Sequence, residues 1–289
     1  MRSEKCILRL QNQLLIKKLL TTNDAATLLL LLGGVFLTAG LTYVFPFLSV
    51  FTVGFGLFVF LLVYTFFLRT QRHLYANAAA AAGLARQTEA FQGLMSMIDL
   101  RAPLPPTGGW AASPDYLNVI VENLLRYRPR TVIECGSGVS TLITAYILEK
   151  IGGGKIYSLD HEQKFGQQTA ELLQLHGLTD YAEVIYAPLT THHIGDKTYQ
   201  WYDLSRLPTT APIDFITVDG PPITLQKNAR YPALPLLSAR CADRVCVVID
   251  DFNRPDDAAT GQMWLREFSY AALTEIATEK GTGVMILKR

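Results

Sequence analysis

No charged side chain interrupts the sequence between Ala25 and Leu68. That run of about 44 residues is roughly twice the ~20 that cross a hydrocarbon core as one helix. A single helix of that length would reach about 66 Å at ~1.5 Å per residue, so a break within it is expected. Cysteine is scarce: Cys6, Cys135, Cys241 and Cys246 are scattered and match no zinc spacing. Cys135 and Cys246 lie in apolar, strand-like runs and read as small buried hydrophobes in a reducing setting. Net charge is nearly absent, 26 basic against 25 acidic side chains. Whole-chain charge therefore gives no support to nucleic acid as a partner. A small-residue cleavage site after a short apolar region is also missing, which argues against a cleaved signal peptide.

The apolar run holds Pro46 near its middle. Two membrane helices are expected, about 25–44 and 47–68, joined by a tight turn. Arg2, Lys5, Arg9, Lys17 and Lys18 precede the first span, and Arg69, Arg72 and Arg86 follow the second. The positive-inside rule then puts both flanks in the cytoplasm, with the hairpin in the inner membrane of a bacterium and the bilayer as a partner. Residues 1–24 read as an amphipathic, interfacial segment. Residues 69–105 read as an alanine-rich helical stalk and linker that ends at Pro103, Pro105 and Pro106. The stalk and the membrane helices are the candidate surfaces for a homo-oligomer.

From residue 106 onward the pattern changes. Ser113 and Pro114 mark a helix start, and Leu117, Ile120, Val121, Leu124 and Leu125 form its apolar face. Strand and helix then alternate: 131–135, 139–150, 155–160, 162–176, 183–187, and after a polar, aromatic insertion 214–219, 229–240, 244–250 and 255–268. Alternation of this kind implies a parallel sheet flanked by helices. The last two strands, 271–277 and 283–287, are joined by so short a turn that they must be antiparallel. The expected fold class is α/β, a Rossmann-like, mostly parallel sheet with a C-terminal antiparallel hairpin, preceded by the transmembrane helical hairpin.

The stretch T-V-I-E-C-G-S-G-V-S-T-L, Thr131 to Leu142, is a strand, a glycine loop and a helix start. Glycines there let a ligand approach the backbone, and the helix offers free N–H groups. A dinucleotide fingerprint requires a third glycine where Thr141 stands. A P-loop requires G-K-[ST], and none is present. The acid followed by G-x-G resembles motif I of the class I S-adenosylmethionine (SAM)-dependent methyltransferases, in the E-x-G-S-G-x-S-T form of a bacterial subgroup. W-A-A-S-P-D-Y-L from Trp110, D-F-I-T-V-D-G-P-P from Asp214, A-R-Y-P-A-L-P-L-L from Ala229 and V-V-I-D-D-F-N-R from Val247 add to the resemblance, which covers about 106–289.

In an open α/β sheet, ligands bind beyond the carboxyl ends of the strands. Glu134, Asp160, Asp219 and the Asp250-Asp251 pair stand there, closing four of the five parallel strands. Such a row suggests ligand or metal contacts, since acids are costly to bury without partners. The resemblance implies that Asp160 accepts from ribose hydroxyls, that Glu134 orients the loop or the methionine amino group, and that Ala187 and Pro188 pack on adenine. It extends the SAM site to Trp110, Gly136, Ser137, Gly138, Ser140, His161 and Asp219. In the metal-dependent O-methyltransferases the matching acids hold Mg²⁺, which would make Asp219, Asp250 and Asp251 its ligands. Gly220-Pro221-Pro222 departs from that pattern; without a metal, Asp219 or Asp250 would serve as general base or line the SAM pocket.

The insertion 190–207 carries His192, His193, Tyr199, Trp201, Tyr202 and Asp203 and suits a cover over an acceptor site, with His192 a candidate base. Lys227, Arg230, Asn253 and Arg254 are candidates to receive an anionic acceptor, or else surface side chains. The expected function is membrane-anchored, SAM-dependent methyl transfer, with Mg²⁺ as a conditional second cofactor and an unidentified membrane-proximal, glycan or lipid-linked acceptor. A non-catalytic SAM-binding membrane scaffold and an NAD(P)-dependent oxidoreductase are the alternatives.

Overall fold

The computed structural model describes residues 29, 30, 32–37, 39, 40, 43, 44, 49–109, 111–208 and 211–288. The chain divides into two compact units, Met1–Ala80 and Ala81–Arg289. The interfacial segment 1–24 and Pro46 lie outside the described residues, and those described between 29 and 44 are helical.

Helix α1, Ser49–Met97, runs without interruption from the apolar stretch into the alanine-rich one. The sequence reading ends a helix at Leu68 and starts another at Gln71; the backbone does neither. Arg69 and Arg72 end the apolar character, but arginine is a good helix former and alanine the best, so the local preference continues. The segment Val53–Met97 is long and apolar enough to cross a membrane, with a mean hydropathy of 1.9 over its most apolar 18 residues, and is the one such helix among the described residues. Phe55, Phe58, Leu61 and Phe66 on it are exposed.

The second unit begins with the last turns of α1, part of the segment read as stalk. Leu94 and Ile98 are buried there. Helix α2, Pro114–Tyr127, packs on these turns; Asn118 Nδ2 donates to the Ala90 carbonyl at 2.9 Å. Arg101, in the expected linker, donates its backbone N–H to the Tyr146 hydroxyl at 3.0 Å and its guanidinium to the His176 carbonyl at 2.9 Å.

Beyond it come β1 (Thr131–Cys135), α3 (Val139–Lys150), β2 (Lys155–Asp160), α4 (Gln163–Leu175), β3 (Ala182–Tyr186), β4 (Leu189–Ile194), β5 (Lys197–Tyr202), β6 (Ile213–Val218), α5 (Ala233–Leu237), β7 (Cys241–Ile249), α6 (Pro255–Glu267), β8 (Ala271–Ile276) and β9 (Thr282–Lys288). Seven strands form one sheet in the order β3-β2-β1-β6-β7-β9-β8. Its first five strands are parallel, and β9 pairs antiparallel with both β7 and β8. The C-terminal hairpin therefore closes the sheet as its short turn requires.

Side chains alternate across the sheet with a period of two. Val132, Ile156, Phe215 and Val248 face a core shared with α2 and α3. Ile133, Leu159, Ile216 and Val247 face a second core with α5, α6 and the β4–β5 hairpin. The insertion is thus a hairpin whose Tyr199, Trp201 and Tyr202 are buried in the second core. Helix 229–240 is shorter than expected: Ala233–Leu237 is α-helical and Ser238–Arg240 is a 3₁₀ turn. Pro232 and Pro235 remove two donors there, and residues 229–232 form turns instead. The chain leaves β1 toward β2 and β3, then returns to lay β6 and β7 on the other side. The resulting crevice lies beyond the carboxyl ends of β1 and β6.

Candidate active site

The loop after β1 is fixed from three directions. Gly136 has φ +101°, a value that disfavours other residues, and a Cβ there would press on the Gly220 backbone at 3.4 Å. The Gly136 N–H is bonded to the Leu159 carbonyl at 2.9 Å. Thr141, at the position of the missing third glycine, accepts from the Gly138 N–H at 3.0 Å and donates to the Glu134 carboxylate. That hydroxyl ties the loop to the acid.

Glu134 is buried, and burial pushes its carboxyl up to about 7 against the hydrogen bonds of Thr141, Ser140 and Ser158. Ser140 is buried at the start of α3. Asp160 ends β2, also buried. Its carboxylate accepts from the Ser137 hydroxyl and, at 2.9 Å, from the Glu162 N–H. Ser137 also touches the Thr169 hydroxyl at 3.1 Å. A carboxylate has about four lone-pair directions, so acceptor capacity remains. His161 lies with Nδ1 4.0 Å from Asp160 and its ring edge-on to Tyr202 at 6.0 Å. The Ala187 N–H is bonded to the Asp160 carbonyl at 2.8 Å, which brings the end of β3 beside that of β2. Trp110 lies outside the described residues.

On the other side of the crevice, Asp219, Asp250 and Asp251 bring carboxylate oxygens within 4.8 Å of one another. Arg230, only 3% exposed, sits among them. Its Nη2 donates to Asp251 Oδ2 at 2.7 Å, Asp219 Oδ1 at 3.0 Å and the Asp219 carbonyl at 2.8 Å; Nη1 donates to the Asp250 carbonyl at 2.8 Å. Arg254 reaches Asp251 Oδ2 from the rim at 2.7 Å, and Asp257 approaches Arg230 Nε at 3.7 Å. Burial works against the guanidinium charge, but Asp219, Asp257 and Asp251 outweigh it and hold it protonated.

Asp250 is fully buried, and neither of its carboxylate oxygens is bonded to another side chain. Burial, then Asp219 and Asp251, raise its affinity for a proton. Asp219 is raised by burial against the pull of Arg230. Asp257 is pushed up to about 6 by burial, again against Arg230. Tyr116 on α2 is fully buried with its hydroxyl unbonded; burial and then Asp250, Asp219 and Glu134 keep it neutral. Tyr202 adds a second buried hydroxyl at the crevice, where a Cβ on Gly220 would collide with it.

The three acids offer the hard oxygens that Mg²⁺ requires, close enough together to share an ion, but Arg230 competes for them. Mg²⁺ would sit about 2.1 Å from each oxygen, and two of the three already hold a guanidinium nitrogen. Two cations sharing ligands in a water-poor pocket repel strongly.

His192 makes its hydrogen bonds within the β4–β5 hairpin rather than with this constellation. Its Nε2 lies 3.0 Å from the Thr190 hydroxyl and 3.1 Å from the Tyr202 carbonyl, both within the hairpin. Arg230 and Arg254, candidates for an anionic acceptor, are both engaged with Asp251, while Lys227 is exposed. Sequence reasoning named Tyr202 only as part of a cover, gave Tyr116 and the Thr141 hydroxyl no role, and gave Arg230 the wrong place. The available signal for Arg230 was the acid row itself, which needs a cation near it.

Residues 133–252 match the model of a family described as a methyltransferase domain. No curated protein matches the sequence. Among solved structures, an SAH-bound methyltransferase of Podospora anserina has a TM-score of 0.50 at 13% identity, over 74% of this chain and 95% of that one. An O-methyltransferase from Bacillus cereus in complex with SAH gives 0.47 at 17%, over 71% and 91%. TomG, an O-methyltransferase from Streptomyces achromogenes in complex with SAM, gives 0.46 at 15%, over 72% and 90%. At such identities the likeness is one of fold.

Proposed function

We propose, taking the methyltransferase domain over residues 133–252 as premise, that this chain transfers a methyl group from SAM to an acceptor oxygen at a membrane surface. The observation that carries the reading is the glycine loop joined to a buried acid: Gly136 packed on Gly220, and Ser137 bonded to Asp160 with acceptor capacity left on that carboxylate. A nucleoside's vicinal hydroxyls suit that acid, and the bare Gly136 backbone suits a close ligand. Glu134, Gly138, Ser140, His161 and Ala187 complete the walls. When bound, SAM supplies a methyl group already activated by the sulfonium charge.

Little remains for the side chains beyond alignment and proton removal. Asp250 is the base in this reading: an Oδ atom, free of side-chain partners and raised in proton affinity by its surroundings, accepts the acceptor's hydroxyl proton. Tyr116, neutral and unbonded, serves as a donor that orients the acceptor oxygen. The exposed apolar side chains of α1 support attachment to a membrane; in this reading the membrane is the cytoplasmic one, the catalytic unit stands on its cytoplasmic side, and the acceptor is carried by a lipid or lipid-linked glycan.

Full-length protein in mild detergent, given methyl-labelled SAM and a lipid extract, tests the proposal. Label is expected in the organic phase. Label confined to water-soluble small molecules would count against the membrane-proximal acceptor.

A further inference from the structure

We infer that Arg230 is the resident cation of the acid cluster, a positioning residue that holds Asp219 and Asp251 where a divalent ion would otherwise do so. Its consequence for catalysis rests on the methyl-transfer reading above; the placement itself does not.

The guanidinium is preorganised rather than opportunistic. Asn228 adopts a left-handed backbone with φ +53° at the turn before α5. Its backbone N–H donates to the Asp256 carboxylate and its Nδ2 to the Asp256 carbonyl, each at 3.1 Å. Tyr231, on the other side of Arg230, donates its hydroxyl to Glu267 at 2.6 Å, and its backbone carbonyl accepts from the Trp264 indole N–H at 2.9 Å. Asn228 and Tyr231, which bracket Ala229 and Arg230, are therefore anchored to α6, and the Arg230 side chain between them is buried.

A planar fork then meets four acceptors at once: two carboxylates and the carbonyls of Asp219 and Asp250. Lysine, a single compact charge, cannot reproduce that pattern. The carboxylates are thereby divided in role. Asp219 and Asp251 each give one oxygen to Arg230, and of the three only Asp250 has neither carboxylate oxygen bonded to a side chain. A divalent ion drawing on the same oxygens would have to displace the guanidinium or bind against its charge.

Mn²⁺ serves as the probe, its free-ion EPR signal being read while it is titrated into EDTA-washed, full-length protein in mild detergent. The wild type is expected to bind no tighter than about 1 mM. Arg230→Ala is expected to take up one ion at least ~10-fold more tightly, and Asp251→Asn in that background to lose it. Stoichiometric uptake by the wild type at micromolar Mn²⁺, abolished by Asp251→Asn, would overturn the inference. A folded Arg230→Ala variant that gains no ion would overturn it too. Should that variant fail to fold, the wild-type titration decides alone. SAM titrated calorimetrically into the same EDTA-washed sample keeps the two questions apart, since lost SAM binding would refute the methyltransferase reading without altering the Mn²⁺ result.

Discussion

Replacing Glu134 with glutamine should make the ligand-free protein more stable at neutral pH and leave it nearly unchanged in acid. Glu134 is 1% exposed, and its carboxyl is pushed up to about 7 from an ordinary value of 4.5. A carboxyl with a raised folded-state pKa binds protons more readily in the folded chain than in the unfolded one. Stability is therefore greatest below pH 4.5 and falls as pH rises toward 7. The shift of about 2.5 units, at ~1.4 kcal/mol each, puts the loss at about 3 kcal/mol. Glutamine keeps a side-chain oxygen for the Thr141 hydroxyl and removes the charge. Asp257 and Asp250 titrate in the same direction in both proteins, so the difference between variant and wild type isolates residue 134. Denaturant unfolding followed by the fluorescence of Trp201 and Trp264, both fully buried, supplies the stabilities at pH 5 and pH 8. A difference that does not change between those pH values would refute the reasoning.

Three other outcomes are expected. Arg230→Met strands several buried acids and should cost about 3–5 kcal/mol near neutral pH, less in acid where the carboxylates take protons; a loss of the same size at every pH in denaturant titrations would contradict this. Gly220→Ala drives a Cβ into the Tyr202 hydroxyl and to 3.2 Å from the Cys135 carbonyl. A loss of about 1–3 kcal/mol is expected, partly recovered with Tyr202→Phe in a double-mutant cycle, and additive effects would count against the contact. Arginine at both Val59 and Leu62, exposed on α1, should release the chain from carbonate-washed membranes, at about 2.5–3.5 kcal/mol each if they sit at the bilayer centre; retention equal to wild type would argue against α1 as the anchor.

Much of the sheet was legible because its strands are short β-branched or apolar runs ended by acids or glycine, so β1 and β2 fall on the expected residues. The antiparallel β8–β9 pair followed from the shortness of its turn alone. What failed was local preference read through charge. Arg69 and Arg72 were taken to end a helix that their backbones continue, because a charge ends apolar character and not helix propensity. The segment from Ala229 was read as a helix, yet Pro232 and Pro235 and the inward-turned Arg230 break its first turns. The glycine loop and the row of acids were visible as sequence. The surroundings of those acids were not, because Arg230, Tyr116 and Tyr202 come to the crevice from α5's preceding turn, from α2 and from the β4–β5 hairpin. Such contacts are set by how elements pack, which no spacing along the chain encodes.

Calorimetric titration of SAM into the full-length wild type and into Asp160→Ala, each shown to be folded, tests the central claim most directly. One SAM per wild-type chain is predicted, with binding at least ~10-fold weaker in the variant because two charge-assisted hydrogen bonds to the ribose are lost. A folded wild type that takes up no SAM, or a variant that binds it as tightly, would contradict the account.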